Sequence, residues 1–198
     1  MKLKLSAILM VAFVASVSFL AFTPKADTYT VDLTKSTISW EGKKLVGGHT
    51  GTIDLTSGTL VFAGKKLTSG GFTANMNTIK TMDNGKPNAG LDKHLKADDF
   101  FGVEKNPASS FVIKKVVGNG ATVNVTGDLT VKGVTNSITF PATLVWNADK
   151  TVSATAEKIE IDRTKYGIQY RSKSIFSDIG DKMIEDSFTL SVKLVAKK

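Results

Sequence analysis

The stretch TVNVTGDLTVKGVTNSITFPATLVW, residues 122–146, decides the fold class of this chain. Apolar and polar residues alternate on both sides of Gly133, which gives two runs of period two separated by a tight turn. Such alternation is typical of antiparallel strands with one buried face and one wet face. We therefore predict a β-hairpin whose turn holds Gly133.

The same alternation recurs along almost the whole chain after Asp27. Further runs of this kind begin at Tyr29, Ile38, Ile53, Leu60, Phe72, Phe111, Val152 and Phe188. In the run from Val152 the apolar parity changes between Ala156 and Ile159, which predicts a β-bulge near Glu157 and Lys158. Many short strands of this type indicate an all-β antiparallel sandwich or barrel.

Glycine-rich and polar clusters between these runs predict the turns of the sheet. They lie at Gly47–Gly48, Ser57–Gly58, Ser69–Gly71, Gly118–Gly120 and Asn147–Lys150. One segment, GLDKHLKADDFF at 90–101, breaks the alternation and has helical character. Its leucines and phenylalanines give it an apolar side, so we expect one short helix that covers an end of the sheet structure.

Length and composition narrow the classes of protein that the chain can belong to. The 198 residues allow one domain of ordinary size. The absence of cysteine excludes disulfides, thiolate catalysis, cysteine-type zinc sites and a lipid-modified N-terminal cysteine. The net charge of +8 comes from dispersed lysines, not from a clustered nucleic-acid footprint. We predict no nucleic-acid partner, while weak contact with an anionic membrane surface stays open.

The N-terminal segment has the features of an export signal. A basic start is followed by uncharged residues from Leu5 to Phe22, which matches a secretory signal. We assign residues 1–26 to a signal peptide and 27–198 to the domain, with an uncleaved anchor as the alternative. Both interpretations place the domain outside the cytoplasm, in the periplasm or secreted.

Two polar groups are candidates for chemistry. His94 and Asp98 stand four apart on the predicted helix, and with His49 they are conceivable metal ligands. We favour a structural role in which His94 pairs with Asp98 and holds the helix and its loop. The segment EIDRTKYGIQY, 160–170, brings Asp162 and Arg163 together in sequence, and a structural ion pair at a strand end is the favoured interpretation.

No motif of an enzyme accompanies these groups. The chain has no GxSxG nucleophile elbow and no glycine-rich phosphate loop. We predict no catalytic residue, no metal and no cofactor. A hydrolase-like enzyme that uses Asp162, Arg163 and Tyr166 is kept as the less favoured alternative.

The interior of such a barrel is either filled or hollow. A small barrel of about eight strands can be packed by its own side chains or can hold one small ligand. An empty pocket of about 300 Å³ would cost on the order of 7 kcal/mol at ~24 cal/mol per Å³, which rivals the stability of a whole domain. A hollow barrel is therefore expected to hold something apolar, whereas a solid barrel would act as an interaction module through its surface.

Four segments of the chain resemble the YceI family, the lipocalin-like, polyisoprenoid-binding proteins of the bacterial periplasm. They are YTVDLTKSTISWEGK (29–43), LDKHLKADDFFGVEKNPASSFVI (91–113), GDLTVKGVTNSITFPATL (127–144) and IEIDRTKYGI (159–168). The second segment, with its His-Leu helix, Asp-Phe-Phe and Asn-Pro, carries the most specific match. One departure is the approach to the helix, KTMDNGKPNAGLDKHL (80–95), which has two or three more turn-forming residues than is usual in the family.

The resemblance implies an all-β, extended, antiparallel up-and-down barrel of about eight strands, with one short helix near its end. It implies a long apolar cavity and an isoprenoid-type lipid as partner, such as an isoprenoid quinone. Members of the family are linked to envelope and pH stress. The longer 80–91 segment is expected near the cavity mouth, where the ligand head group would lie. Oligomeric state is left open, a homodimer included.

Ten side chains are the candidates for contact with such a ligand, although packing in the core is the favoured interpretation for any single inward-facing one. They are the apolar residues of the helix region, the inward residues of the strands and the aromatic residue of the Arg-x-x-aromatic-Gly element. The set consists of Phe72, Met76, Leu95, Phe100, Phe101, Phe111, Phe140, Leu144, Trp146 and Tyr166.

Overall fold

The computed structural model describes residues 25–176 and 180–198, so that the predicted signal segment falls almost entirely outside the described residues. The strands are β1 (Ala26–Val31), β2 (Thr37–Lys44), β3 (Gly48–Ala63), β4 (Lys66–Asp83), β5 (Lys86–Pro87), β6 (Ala108–Val117), β7 (Thr122–Val131), β8 (Val134–Trp146), β9 (Val152–Asp162) and β10 (Ile184–Lys197). Helix α1 (Ala89–Lys96) lies between β5 and β6, and two 3-10 helices, Arg163–Tyr166 and Gly180–Lys182, lie between β9 and β10.

Eight of these strands close into an antiparallel barrel. The order around the wall is β3-β2-β10-β9-β8-β7-β6-β4, and β4 pairs back with β3. Strands β1 and β2 lie one after the other along the same edge of β3. Strand β2 pairs with Gly48–Ile53 of β3, and β1 pairs with Thr59–Ala63 further along. The predicted all-β barrel of about eight strands with one short helix is confirmed.

The hairpin that decides the fold class has the predicted turn. Val131 pairs with Val134, so that Lys132 and Gly133 alone connect β7 to β8. Both have positive φ, 50° and 75°, which is the requirement of a type I′ turn. The twist of this turn matches the twist of the strands, and the alternating apolar residues on both sides therefore face the barrel interior.

Two predicted turns do not exist. Strands β3 and β4 run for 16 and 18 residues straight through Ser57–Gly58 and Ser69–Gly71. A Cβ atom on Gly58 would lie 2.8 Å from Cγ2 of Val31, and one on Gly71 would lie 2.6 Å from the carbonyl oxygen of Phe111. These glycines are required for close approach between neighbouring segments, which is the other common reason for glycine within a strand.

The predicted β-bulge is confirmed. The register between β9 and β10 shifts between Leu190 and Val192, and Lys158 has a φ of 53°. On the other side of β9, pairing with β8 covers only Thr143–Trp146 and Val152–Thr155. Beyond that point the 3-10 helix Arg163–Tyr166 contacts β8, and the side-chain amide of Asn136 donates a hydrogen bond to the carbonyl of Lys165.

Helix α1 is shorter than the helical segment predicted at 90–101. It begins after Asn88, whose side chain accepts a hydrogen bond from the backbone N–H of Leu91 and so caps the helix. It ends at Lys96 because Ala97 adopts an extended conformation with a ψ of 162°. The Asp-Asp-Phe-Phe residues that follow therefore form turns instead of a second helical turn. None of the helices within the described ranges has the length and apolarity needed to cross a membrane.

An aromatic cluster closes the barrel end opposite to α1. The rings of Tyr29, Phe62 and Trp146 pack edge to face, with centroids 5.1, 5.3 and 5.7 Å apart. They lie beside the β3–β4 and β8–β9 turns, whereas the β7–β8 turn and α1 lie at the other end. The open interior space is therefore confined to the half of the barrel near the helix.

Candidate functional site

A cavity of about 300 Å³ occupies the helix half of the barrel. This volume falls within the range of small-molecule sites. The wall consists mainly of inward-facing aliphatic and aromatic side chains of the strands. Besides the predicted residues it includes Ile38, Trp40, Ile53, Ala74, Ile79, Leu129, Val131, Ile138, Ile159, Leu190 and Val192. The barrel is thus not packed solid, and its free space is apolar.

Seven of the ten predicted ligand-contact residues line this cavity: Phe72, Met76, Leu95, Phe100, Phe101, Phe111 and Phe140. The other three do not line it. Leu144 is buried in the closed half, Trp146 belongs to the aromatic cluster, and Tyr166 is buried in the 3-10 helix. Contact with a ligand stays a prediction for the seven residues that the fold brings together.

Three phenylalanines form an aromatic layer across the cavity wall. The ring of Phe111 lies 5.7 Å from that of Phe72 and 5.3 Å from that of Phe140. Gly127 makes room for it, since a Cβ atom there would lie 2.4 Å from Cζ of Phe111. Sequence reasoning missed Gly127, although a glycine inside an alternating strand is a signal of close approach.

Helix α1 and the loop after it, which we together call the lid, cover part of the cavity end. Leu91 and Leu95 of the helix line the cavity together with Phe100 and Phe101. The ring of His94 packs edge-on against Tyr170, with centroids 4.6 Å apart. The lid is therefore held to the segment that follows the 3-10 helix by aromatic packing.

The predicted His94–Asp98 pair is wrong. Nε2 of His94 lies 3.3 Å from Oδ2 of Asp99, while the carboxylate of Asp98 accepts a hydrogen bond from Nζ of Lys105. The cause is the early end of the helix at Lys96, which turns Asp98 away from the face that carries His94. The expected role of His94 in holding the helix and its loop is retained, with a different carboxylate.

The uncovered part of the cavity end, which we call the mouth, is polar and mainly basic. Lys43, Lys44, His49, Arg171 and Glu185 line it. Sequence reasoning did not find this group, because these residues come from turns and strand ends without a periodic signal.

One hydrogen-bonded pair joins the start of β3 to the end of β4 at the mouth. Nδ1 of His49 lies 2.6 Å from Oδ2 of Asp83, and the backbone N–H of Thr50 donates to Oδ1 of the same carboxylate. The hydrogen bond with His49 is the main cause that holds the pKa of Asp83 below its ordinary value. Asp83 lies in the 80–91 segment, which therefore lies at the mouth as expected.

The two histidines are far from a shared site. His49 contacts Asp83, and His94 contacts Asp99. Over the ranges 25–176 and 180–198, no group of three His, Cys, Asp or Glu side chains could hold a metal ion.

Two donors in the cavity wall have no hydrogen-bond partner within the described part of the chain. They are the indole N–H of Trp40 and the hydroxyl of Ser109. An unpaired buried donor costs about 1–3 kcal/mol. A ligand oxygen that reached either group would recover part of this free energy.

Arg163 serves the structure of the β9–β10 connection. It is 3% exposed, and its guanidinium donates hydrogen bonds to the carbonyls of Ile168, Ile184 and Glu185. Burial lowers its pKa, an effect opposed by Asp186 at 3.7 Å. Three of the five N–H donors of this side chain are thus used by backbone carbonyls of the protein.

The other two members of the candidate cluster differ in their surroundings: Asp162 is a helix cap, whereas the buried hydroxyl of Tyr166 has no hydrogen-bond partner within the described residues. Asp162 accepts hydrogen bonds from the backbone and hydroxyl of Thr164 and so caps the 3-10 helix. Burial raises the pKa of the Tyr166 phenol. The ion pair of Arg163 is formed with Asp186, not with Asp162.

The closed up-and-down barrel with an internal apolar cavity defines the chain as a lipocalin-like barrel protein. The model of the YceI-like domain matches residues 29–196, and the chain belongs to this family. The resemblance read from the sequence is confirmed.

Curated relatives match over part of their length. A UPF0312 protein of Pseudomonas aeruginosa is 32% identical over 121 residues, which are 61% of this chain and 59% of that protein. Protein YceI of Escherichia coli O157:H7 is 31% identical over 121 residues, 61% of this chain and 62% of that protein. The matched region thus spans about three fifths of these relatives.

Solved structures show the same fold. Burkholderia cenocepacia BcnA has a TM-score of 0.69 at 23% identity, and the match covers 84% of this chain and 99% of BcnA. A polyisoprenoid binding domain from Saccharophagus degradans, implicated in plant cell wall breakdown, has a TM-score of 0.64 at 13% identity, covering 85% and 97%. At these identities the likeness establishes the barrel architecture.

Proposed function

We propose that the barrel binds a long apolar lipid of the isoprenoid type, such as an isoprenoid quinone, in its cavity. The observation that carries the proposal is the apolar wall, which is continuous from the Phe72–Phe111–Phe140 layer to the lid. Empty apolar volume is costly, so an apolar occupant stabilises the fold. The polyisoprenoid binding domain among the structural relatives supports this class of ligand.

The two ends of the cavity suggest how the lipid is oriented. The aromatic cluster blocks one end, and the basic mouth with Lys43, Lys44 and Arg171 lies at the other. An amphiphile would bury its chain against the closed half and leave its head group at the mouth. Each methylene that leaves water contributes about 0.8 kcal/mol, so the chain supplies most of the affinity.

The proposed role is carriage or storage of the lipid outside the cytoplasm, including protection of the envelope under stress. A binding role is favoured over an enzymatic one because the donors of Arg163 are engaged by backbone carbonyls. Export would depend on residues 1–26 acting as a signal peptide. N-terminal sequencing of protein from a periplasmic fraction tests this: a start near Asp27 supports it, and an intact N-terminus supports the anchor.

The first experiment is mass spectrometry of an organic extract from protein purified gently out of its native fraction. We expect an isoprenoid-type lipid in a stoichiometric amount. A folded protein whose extract contains no lipid, and which then binds no isoprenoid quinone in solution, would contradict the proposal.

The two tryptophans offer a built-in probe of position. Trp40 lines the cavity, whereas Trp146 lies in the aromatic cluster at the closed end. The Trp146→Phe variant retains Trp40, and titration with a short-chain ubiquinone should quench its tryptophan fluorescence to saturation. The quenching should be weaker in the Trp40→Phe variant. Equal, non-saturating quenching of both variants would indicate that the quinone does not enter the cavity.

Substitution of two alanines tests the effect of cavity volume on binding separately from an effect of stability. Ala74 lines the cavity, and Ala142 is buried outside it. Leucine at position 142 adds volume to a packed region and costs about 1–3 kcal/mol, whereas leucine at position 74 extends into the free space of the cavity. Only Ala74→Leu should reduce binding of the quinone, while Ala142→Leu should bind it normally once folded; the reverse order would contradict the assigned cavity.

A further inference from the structure

We propose that the rim of the cavity mouth docks on the surface of an anionic bilayer. Three segments form this rim, which we call the lip: the turn Lys43–Val46, Met82, and the segment Arg171–Phe176. Each exposes large apolar side chains, with Val46 82% exposed, Leu45 50%, and Phe176 44%. Exposure of large apolar side chains to water is unfavourable. A single exposed apolar residue is common on a protein surface, whereas a group of neighbouring ones indicates an interaction site.

The three segments of the lip lie side by side. Lys44 pairs with Ile184, and the backbone N–H of Ile184 donates to the carbonyl of Arg171, which joins the first segment to the third. The hydroxyl of Thr50, at the start of β3, donates to the carbonyl of Met82 and joins the second segment to the same turn. The exposed apolar residues therefore form one surface at one end of the barrel.

Positive charge surrounds this surface. The carboxylates of Glu41, Asp83 and Glu185 are each within ion-pair distance of a basic side chain. Over the described ranges, Lys44 and Lys86 have no carboxylate within 4.0 Å. A basic side chain near an anionic leaflet contributes about 1 kcal/mol to binding, and the effect fades within a Debye length.

The form of the lip favours a bilayer over a protein partner. Its apolar residues stand at a strand end and in connecting segments, with lysines nearby in sequence, as expected for side chains that enter the boundary between head groups and acyl chains. Lys43, Lys44 and Arg171 belong to the lip and to the cavity mouth alike. Docking by the lip would therefore bring the mouth against the lipids. Docking itself needs no lipid in the cavity, so its test is independent of the proposed ligand.

The test is co-sedimentation of the purified domain with vesicles of phosphatidylglycerol and phosphatidylethanolamine, compared with phosphatidylcholine alone. We expect binding to the anionic vesicles that weakens as salt is raised. The double variants Leu45→Ser/Val46→Ser and Lys44→Gln/Lys86→Gln should each bind the anionic vesicles about tenfold more weakly. All of these residues are exposed, so thermal melts should remain close to that of the unchanged protein.

Matched controls lie at the closed end. Val117 and Val145 are about as exposed as Leu45, and Lys65 and Lys66 are exposed in the β3–β4 turn. Val117→Ser/Val145→Ser and Lys65→Gln/Lys66→Gln should bind vesicles like the unchanged protein. Failure of the unchanged protein to sediment with anionic vesicles would overturn the proposal. Equal loss in the lip and control variants would overturn it as well, since binding would then not depend on the lip.

Discussion

Buried polar side chains are explained at the scale of single residues, and Arg163 is the clearest case. A guanidinium brings five N–H donors in a rigid fork. Three backbone carbonyls from two segments receive those donors, and the side chain is nearly fully buried. A residue kept from the sequence as the less favoured catalytic candidate is thereby the clamp that holds the β9–β10 connection beside the mouth.

Replacement of this clamp should cost stability. Arg163→Met leaves three buried carbonyls without donors, and we expect a loss of about 3–5 kcal/mol in the free energy of unfolding. Arg171→Met is the control, because the Arg171 guanidinium only stacks on the Tyr170 ring, and its cost should stay below about 1 kcal/mol. Urea denaturation followed by circular dichroism measures both. An Arg163→Met variant as stable as the unchanged protein would argue against the structural role.

Asp83, at the mouth, is expected to make the stability of the protein depend on pH. Its pKa in the folded protein is lowered, chiefly by the hydrogen bond from His49, from an ordinary value of 3.8. Its contribution to stability is therefore complete above the ordinary value and is lost as the pH falls through the folded-state pKa. The fall in Tm between pH 5 and pH 3 should be smaller in Asp83→Asn than in the unchanged protein.

Asp54→Asn serves as the control for that measurement. Asp54 is an exposed carboxylate on β3 whose oxygens accept no hydrogen bond within the described ranges. Its variant should follow the pH dependence of the unchanged protein. If Asp83→Asn did so too, the hydrogen bonds of the Asp83 carboxylate would contribute nothing to the pH dependence of stability.

At the scale of elements, local backbone requirements explain most of the hairpins. Gly133 has a φ of 75° at the second position of the type I′ turn, and a Cβ atom there would lie 3.1 Å from Oδ1 of Asn106. Lys132 beside it reaches the carbonyl of Asp98 with its Nζ atom. The β7–β8 turn is thus also an anchor for the loop after α1.

Gly133→Ala should therefore destabilise the domain by about 1–2 kcal/mol, the cost of the left-handed conformation for a residue with a Cβ atom. Gly120→Ala is the matched control in another connection, where a Cβ atom would meet nothing within 4 Å. Its effect should lie within about 0.5 kcal/mol. Chemical denaturation distinguishes the two variants, and equal stabilities would mean that the turn relaxes at no cost.

At the scale of the whole molecule, the barrel is divided into a packed half and an open half. The aromatic cluster and the aliphatic residues around it stabilise the closed end, and the lid and the lip shape the other. Stability is therefore expected to depend on what occupies the open half. This coupling follows from mass action, because a ligand that binds only the folded state stabilises it.

Removal of the lipid should lower the Tm. At a free ligand concentration of about 100 times the Kd, the stabilisation is about 2.7 kcal/mol, or a rise of about 5–10 °C for a domain of this size. A delipidated sample, melted with and without added isoprenoid quinone, measures the shift. Ala74→Leu should show a smaller rise than Ala142→Leu. An unchanged Tm at saturating quinone would contradict binding in the cavity.

The sequence by itself determined the period-two runs from which the strands are built, the hairpin at Gly133, the bulge near Lys158 and the family, because period-two alternation and turn chemistry are local properties of the chain. It predicted inward residues correctly as a class. It could not separate Phe111, in the cavity wall, from Trp146, in the closed end, because alternation reports the face of a strand and not its height in the barrel.

That height is set by the register between strands distant in sequence, which only the tertiary structure decides. The same long-range packing explains why Gly58 and Gly71 lie inside strands: each faces a neighbouring segment with no room for a side chain. It also assembled the lip from three separate segments. These features depend on closure of the barrel, which places β2 between β3 and the last strand, β10.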